Sequence, residues 1–253
     1  MTKICIFCGG RVNSEEHVRP QWLLTLMKKW LPSKSMKMHS ARLNKSGTVE
    51  KWVVNNPEIV TKCVCRDCNS GWMSELEVIA RPVILPLIEG TAKRITLSQQ
   101  IKIIAWITKC AMIFDEMSGA HFFEHQECVQ FRKDLITPVD HTEVWLGYYS
   151  GQHLGGYTHH GTGSNNAPPT PNKSYVQTMA FGRMVLQLIA IKPLIPVDVP
   201  VLRLKVRNGK WDHVTLRLAT YQIPIRWPPK HSFDDSSCTI QDFADRFGLQ
   251  RLE

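Results

Sequence analysis

The 253-residue sequence has no apolar run long enough to cross a bilayer. Its most apolar stretch, IKIIAWITKCAMIF at residues 101–114, holds 14 residues and two lysines. The opening MTKICIFC also lacks the apolar segment of a secretory leader. The phosphate-cradling GxxxxGK[ST], dinucleotide GxGxxG and nucleophile-elbow GxSxG patterns are all missing, which sets aside chemistry built on those loops. No internal repeat or heptad is present, so solenoids and coiled coils are excluded. Acidic residues are few: 22 Asp+Glu face 31 Lys+Arg, for a net charge of +9. Between Met1 and Asn69 there are 12 basic and 5 acidic residues, so +7 of the excess falls in the first quarter of the chain. A polyanionic partner is expected to meet that quarter.

Apolar residues make up 43% of the chain, enough to bury the core of one large domain or two small ones. The patterning suggests units at residues 1–80 and 81–253, with an α+β fold class. In the first unit a helix is predicted over residues 20–30, then a polar basic stretch at 32–47 and a strand at 48–54. After Asn69, SGWMSELEVIA reads as a helix with Trp72, Leu76 and Ile79 on one stripe and Pro82 ending it. In the second unit Thr96 and Gln99 have capping-box spacing before a helix over residues 98–116. That helix is apolar on nearly every face and so is expected to be buried. Another helix is predicted around residues 125–135. The period then changes, and EVWLGYYS, YVQTMAF, MVLQLIAI, VLRLKV and HVTLRLATYQI read as strands of an antiparallel sheet. Residues 151–174, rich in Gly, Pro and Asn, read as a long mobile loop with His159 and His160 exposed on it. IQDFADRFG closes the chain as a short helix.

Eight cysteines stand at positions 5, 8, 63, 65, 68, 110, 128 and 238. Five fall in two tight groups and three are scattered, a usage that suits metal binding plus reduced, packed thiols in a cytoplasmic chain. Cys5-x-x-Cys8 and Cys65-x-x-Cys68 supply four thiolates in two knuckles, the ligand set of a structural Zn²⁺. Cys63 can stand in for Cys65, although the two-residue spacing favours Cys65. Redox pairs or buried thiols are the plainer alternatives. Between the knuckles lie the 56 residues from Gly9 to Val64, so a folded segment must fill the gap.

A zinc clip would bring together the residues that follow each knuckle. Glu16 and His17 follow the first, and Asn69 follows the second directly. Glu16 and Asn69 offer hard oxygen ligands for Mg²⁺ or Mn²⁺, and a neutral His17 beside such an ion can take a proton from water. Arg19, Lys28, Lys29, Lys34, Lys37, Arg42, Lys45 and Arg66 are the candidates for holding a phosphate backbone. These parts suffice for metal-assisted phosphodiester hydrolysis.

The ordered run CIFCGG…EEHVRPQW…CVCRDCNSGWMSELE resembles the zinc-clipped branch of the HNH, or ββα-metal, endonucleases over roughly the first 80 residues. The resemblance implies a ββα-metal module with His17 as general base and Glu16 and Asn69 as ligands of the catalytic ion. Cys5, Cys8, Cys65 and Cys68 would be its structural zinc ligands. It implies a DNA substrate, with RNA left open, and a role in defence against foreign DNA or in a mobile element, with a protein sensor or guide as partner. Two positions depart from the family pattern. Val60 stands where many members carry an asparagine that orients the histidine, and Met73 stands where some carry another ligand, with Glu77 as the nearest substitute.

Plainer readings stand beside these. Glu16 can be a first-turn acid before the helix at residue 20, with Asn13 or Ser14 as its cap. Asn69 can simply cap the next helix, and the lysines can form a solvated face. Trp72 and Trp106 read as core, and Cys110, Cys128 and Cys238 as packed thiols. A zinc-clipped nucleic-acid-binding protein without catalysis is the alternative to the nuclease.

Overall fold

A computed structural model describes residues 3–30, 38–43, 49–54, 59–139, 141–152, 154–165, 172–193, 214–219, 223–237 and 239–245. After the first cysteine knuckle come strand β1 (Ser14–His17) and helix α1 (Gln21–Trp30). Strands β2 (Met38–Leu43) and β3 (Val49–Val54) pair antiparallel, Met38 opposite Val54 and Leu43 opposite Val49. The polar stretch at 32–47 therefore contains a strand, because β3 supplies a ladder for its backbone groups. Strand β4 (Val60–Val64) returns to pair antiparallel with β1. The chain then enters α2 (Arg66–Cys68), a π-helical turn (Asn69–Met73) with a kink at Gly71, and α3 (Ser74–Glu89).

Helix α3 does not end at Pro82. It runs through Pro82 and Pro86 to Gly90, whose φ of 74° caps it in the left-handed region. Each internal proline costs about 3 kcal/mol. Beyond Pro82 the helix buries Val83, Ile84, Leu87 and Ile88, at roughly 1.5–3 kcal/mol each, which offsets both.

Strand β5 (Lys93–Ile95) leads into α4 (Leu97–Ser118), the central helix. Both arms of the capping box are formed: Gln99 N donates to Thr96 Oγ1 at 3.3 Å, and Thr96 N donates to Gln99 Oε1 at 3.0 Å. From Ala105 to Asp115 every α4 residue is buried, polar Thr108 and Lys109 included. Helix α5 (His125–Asp134) follows, then β6 (His141–Tyr148), β7 (Leu154–Asn165), β8 (Asn172–Gly182), β9 (Met184–Pro193) and the short β10 (Thr215–Arg217). These five strands form one antiparallel sheet in the order β10-β6-β9-β8-β7. Strand β11 (Ile225–Trp227) pairs with β5, and α6 (Ile240–Asp245) is the last described element.

Residues 151–174 are thus mostly strand. Strands β7 and β8 are in register from Tyr157 opposite Ala180 to Asn165 opposite Asn172, so the ladder overrides the weak strand preference of the glycines. Of the two late strand candidates, VLRLKV lies outside the described residues and HVTLRLATYQI contributes β10.

On one face of the sheet, Tyr175, Met179, Phe181, Met184, Leu186 and Leu188 join the core around α4. Tyr175 donates its hydroxyl to Ala111 O at 3.0 Å. On the other face, Ala180 and Val185 pack with Tyr149, Phe233, Ile240 and Phe243. The main core takes Cys5, Phe7 and Leu23 together with Trp106, Met179 and Trp227, and residue 80 lies inside α3. Mixed α+β architecture with antiparallel sheets is therefore what the chain adopts.

Candidate functional site

The first knuckle is a tight turn held by its own backbone. Cys5 N donates to Gly10 O at 2.7 Å, Gly9 N donates to Cys5 O at 2.9 Å, and Gly9 takes a φ of 72°. Gly10 N and Cys68 N each donate to a cysteine sulfur, Cys8 Sγ and Cys65 Sγ, at 3.4 Å. Ile6 N donates to Cys63 O at 3.0 Å and so joins the knuckle to β4. The sulfurs of Cys5, Cys8, Cys65 and Cys68 all lie within 4.8 Å of one another, and Cys8 and Cys65 are 3.5 Å apart. Tetrahedral zinc with Zn–S bonds of ~2.3 Å separates its sulfurs by ~3.8 Å, so these four thiols can bind a metal such as zinc. Cys63 is not in the set. Burial pushes its thiol up to about 12, as it does for Cys110 and Cys128, so all three are packed thiols. Cys238 lies outside the described residues.

Strand β1 is strapped to the second knuckle. Asn13 Oδ1 accepts from Arg66 N at 2.7 Å, which makes it a cap for α2 rather than for α1. The Asn69 side-chain nitrogen donates to Ser14 Oγ and to Glu15 O, both at 2.9 Å. Those two bonds use the nitrogen and leave Oδ1, a hard oxygen, without a described partner. Two antiparallel strands followed directly by a helix are the result, with Asn69 as the tie between helix and first strand. His17 stands opposite Val60 in the β1–β4 register, and its Nε2 is 3.4 Å from the Gln21 amide nitrogen. Because strand side chains alternate, Glu16 takes the other face.

That face is buried. Glu16 is 8% exposed, and its Oε1 lies 3.7 Å from Lys109 Nζ. Lys109, 2% exposed on α4, is 2.5 Å from Glu77 Oε1 on α3. Glu77 also accepts from Trp22 Nε1 at 2.8 Å and from Trp106 Nε1 at 3.0 Å. Burial raises the Glu16 carboxyl above its ordinary value, and the Lys109 charge partly offsets this. Burial alone would lower the Lys109 amine, but Glu77 and then other nearby charges hold it above its ordinary value, so it stays protonated. This cluster is the feature sequence reasoning missed. Its signal was a lysine inside a helix apolar on every face.

The basic candidates separate. Lys28, Lys29 and Arg66 are exposed, the first two at the end of α1 and the third at the start of α2. Arg19 is 4% exposed and donates from Nε and Nη2 to Thr158 Oγ1 at 3.3 and 3.1 Å, fastening the start of α1 to β7. Arg42 lies on β2, and Lys34, Lys37 and Lys45 fall outside the described residues. His159 and His160 sit on β7 and are not exposed; burial beside Phe114 lowers His160 below its ordinary value. Trp106 is fully buried, and Trp72 packs edge-on against Phe7 and Phe131. Among the described residues no helix is long and apolar enough to cross a membrane.

No family model matches the chain, and comparison with curated proteins and with solved structures finds no match.

Proposed function

We propose that the chain is a cytoplasmic metal-dependent endonuclease of the HNH type that hydrolyses phosphodiester bonds in DNA. The observation that carries this reading is the strand–strand–helix unit of β1, β4 and the Asn69 turn, tied by the Asn69 amide to Glu15 and clipped by four cysteines, with His17 at the end of β1. Asn69 Oδ1 is an oxygen that would hold Mg²⁺ or Mn²⁺, an ion that prefers such donors and polarises a scissile phosphate when bound, and the Glu16 carboxylate would join it only by leaving Lys109 on the buried face of β1. The half-buried His17 takes the proton of the attacking water. Gln21 stands at its Nε2, where Val60 has no polar side chain to offer. Lys28, Lys29 and Arg66 bind flanking phosphates and set the register of the strand. A nuclease inside a cell needs control, so a protein sensor or guide partner, in defence against foreign DNA or in a mobile element, belongs to the proposal.

The test is plasmid cleavage in Mg²⁺ or Mn²⁺ beside His17→Ala, with single- and double-stranded RNA as parallel substrates. Cutting by the parent and a loss of at least about 10²-fold in the variant are expected. Cutting that survives His17→Ala overturns the mechanism. A second reading, a zinc-clipped protein that binds nucleic acid without cutting it, draws on the pairing of Glu16 with Lys109. Its mark would be retention of DNA with no cleavage in either metal.

A further inference from the structure

We infer that the cleft between the first cysteine knuckle and the α4–α5 corner binds a small organic cation, a guanidinium or primary ammonium on a short apolar stem. Such a site would be present whether or not the chain cuts DNA. The cleft encloses about 350 Å³, at the small end of ligand sites. Ile4 and Ile6 beside the knuckle, Met112 of α4 and Phe123 of the following loop give it apolar walls. Asp115, Glu116 and Glu124 also line it, and no lysine or arginine does, in a chain whose net charge is +9. His121 lines it as well, its Nδ1 already 3.4 Å from Glu116 Oε2.

Asp115 is the residue that points to a ligand. It is 2% exposed, and its Oδ2 accepts from Phe123 N at 2.8 Å. Among the described residues its Oδ1, buried as well, has no hydrogen-bond partner. A buried carboxylate oxygen left unpaired is costly, and a cation brought into the cleft removes that cost. Burial also raises the Asp115 carboxyl above its ordinary value, and a bound cation would draw it back down. A guanidinium suits the place well, because its planar fork meets a carboxylate through charge-assisted bonds while its stem lies along apolar walls. A bare metal ion suits it poorly. Among the described residues the four cysteines are the only group of three or more His, Cys, Asp or Glu side chains close enough together to share an ion.

The test is isothermal titration calorimetry of the full chain near neutral pH with butylguanidine, and with butylurea, its uncharged isostere. Butylguanidine is expected to bind in one-to-one stoichiometry with a Kd of about 10 µM to 1 mM, the range open to a ligand of its size. Butylurea, with no charge to offer Asp115, should bind at least about tenfold more weakly. Asp115→Asn should weaken butylguanidine at least about tenfold, with circular dichroism checking that the variant is folded. Ile4→Trp, at an exposed position beside the cleft, narrows it without altering the carboxylate and should also weaken butylguanidine. That variant carries the test if Asp115→Asn does not fold. No binding of butylguanidine at about 10 mM would overturn the proposal, as would butylurea binding equally well. Parent-like affinity in folded Asp115→Asn or in Ile4→Trp would overturn it too. Displacement of butylguanidine by equimolar Mg²⁺ would do the same, by making the cleft a metal site.

Discussion

Glu77→Ala is the substitution whose cost follows most directly from the geometry. The carboxylate is the 2.5 Å partner of Lys109 and the acceptor for two indoles. Removing one partner of a buried ion pair costs roughly 3–5 kcal/mol. Here the lower end applies, because Glu16 remains 3.7 Å from the stranded amine. Each indole N–H left unpaired adds about 1–3 kcal/mol when buried. Trp106 is fully buried and carries that penalty, whereas Trp22 is half-buried and carries little of it. The expected loss is about 4–6 kcal/mol, a large part of the ~5–15 kcal/mol that stabilises an ordinary domain. Urea unfolding followed by tryptophan fluorescence reads it as a shift of the midpoint. Glu75→Ala, on an exposed position of the same helix, serves as the control and should stay within about 0.5 kcal/mol. A loss below about 1.5 kcal/mol for Glu77→Ala would refute the picture of a fully engaged buried acid.

Other outcomes are equally direct. Unfolding the purified protein in the presence of a metallochromic dye should release about one zinc per chain, and Cys68→Ala should release none. Asp115 has its carboxyl raised by burial, with the Phe123 N–H at 2.8 Å as a partial offset. A folded value above the ordinary 3.8 gives stability that is present below that value and lost as the pH rises through the folded value. Asp115→Asn should therefore gain on the parent as the pH is taken from about 4 to 7, measured by urea midpoints. Replacing Lys28, Lys29 and Arg66 together by Ala should lower the slope of log affinity for duplex DNA against log salt by about 2–3, read by fluorescence anisotropy.

Features coded by adjacent residues were legible from the sequence. The Thr96–Gln99 cap, the two knuckles and the buried character of α4 each depend on spacing within a few positions, and each is present. What depended on distant partners was not legible. Polar SEEH carries no strand signal, and it becomes β1 because β4 arrives from beyond the β2–β3 hairpin. The glycines of β7 imitate a loop until β8 pairs with them. Arg19 read as a phosphate-backbone candidate within the basic first quarter of the chain, and only the fold brings Thr158 to it. Lys109 marked a buried charge without naming the acids that neutralise it.

Three contacts stitch the opening residues to the remainder of the chain. Lys109 meets Glu16, Thr158 meets Arg19, and Gly156, at a φ of 140° that disfavours any side chain, sets β7 against the Met27 thioether. Moved between proteins, this four-cysteine head would leave those contacts behind. A transplanted copy of residues 1–80 would arrive with Glu77 facing no lysine and Trp22 bonded to an acid that nothing neutralises. An inheritor would have to take α4 along with it, or evolve a new cation at the same depth.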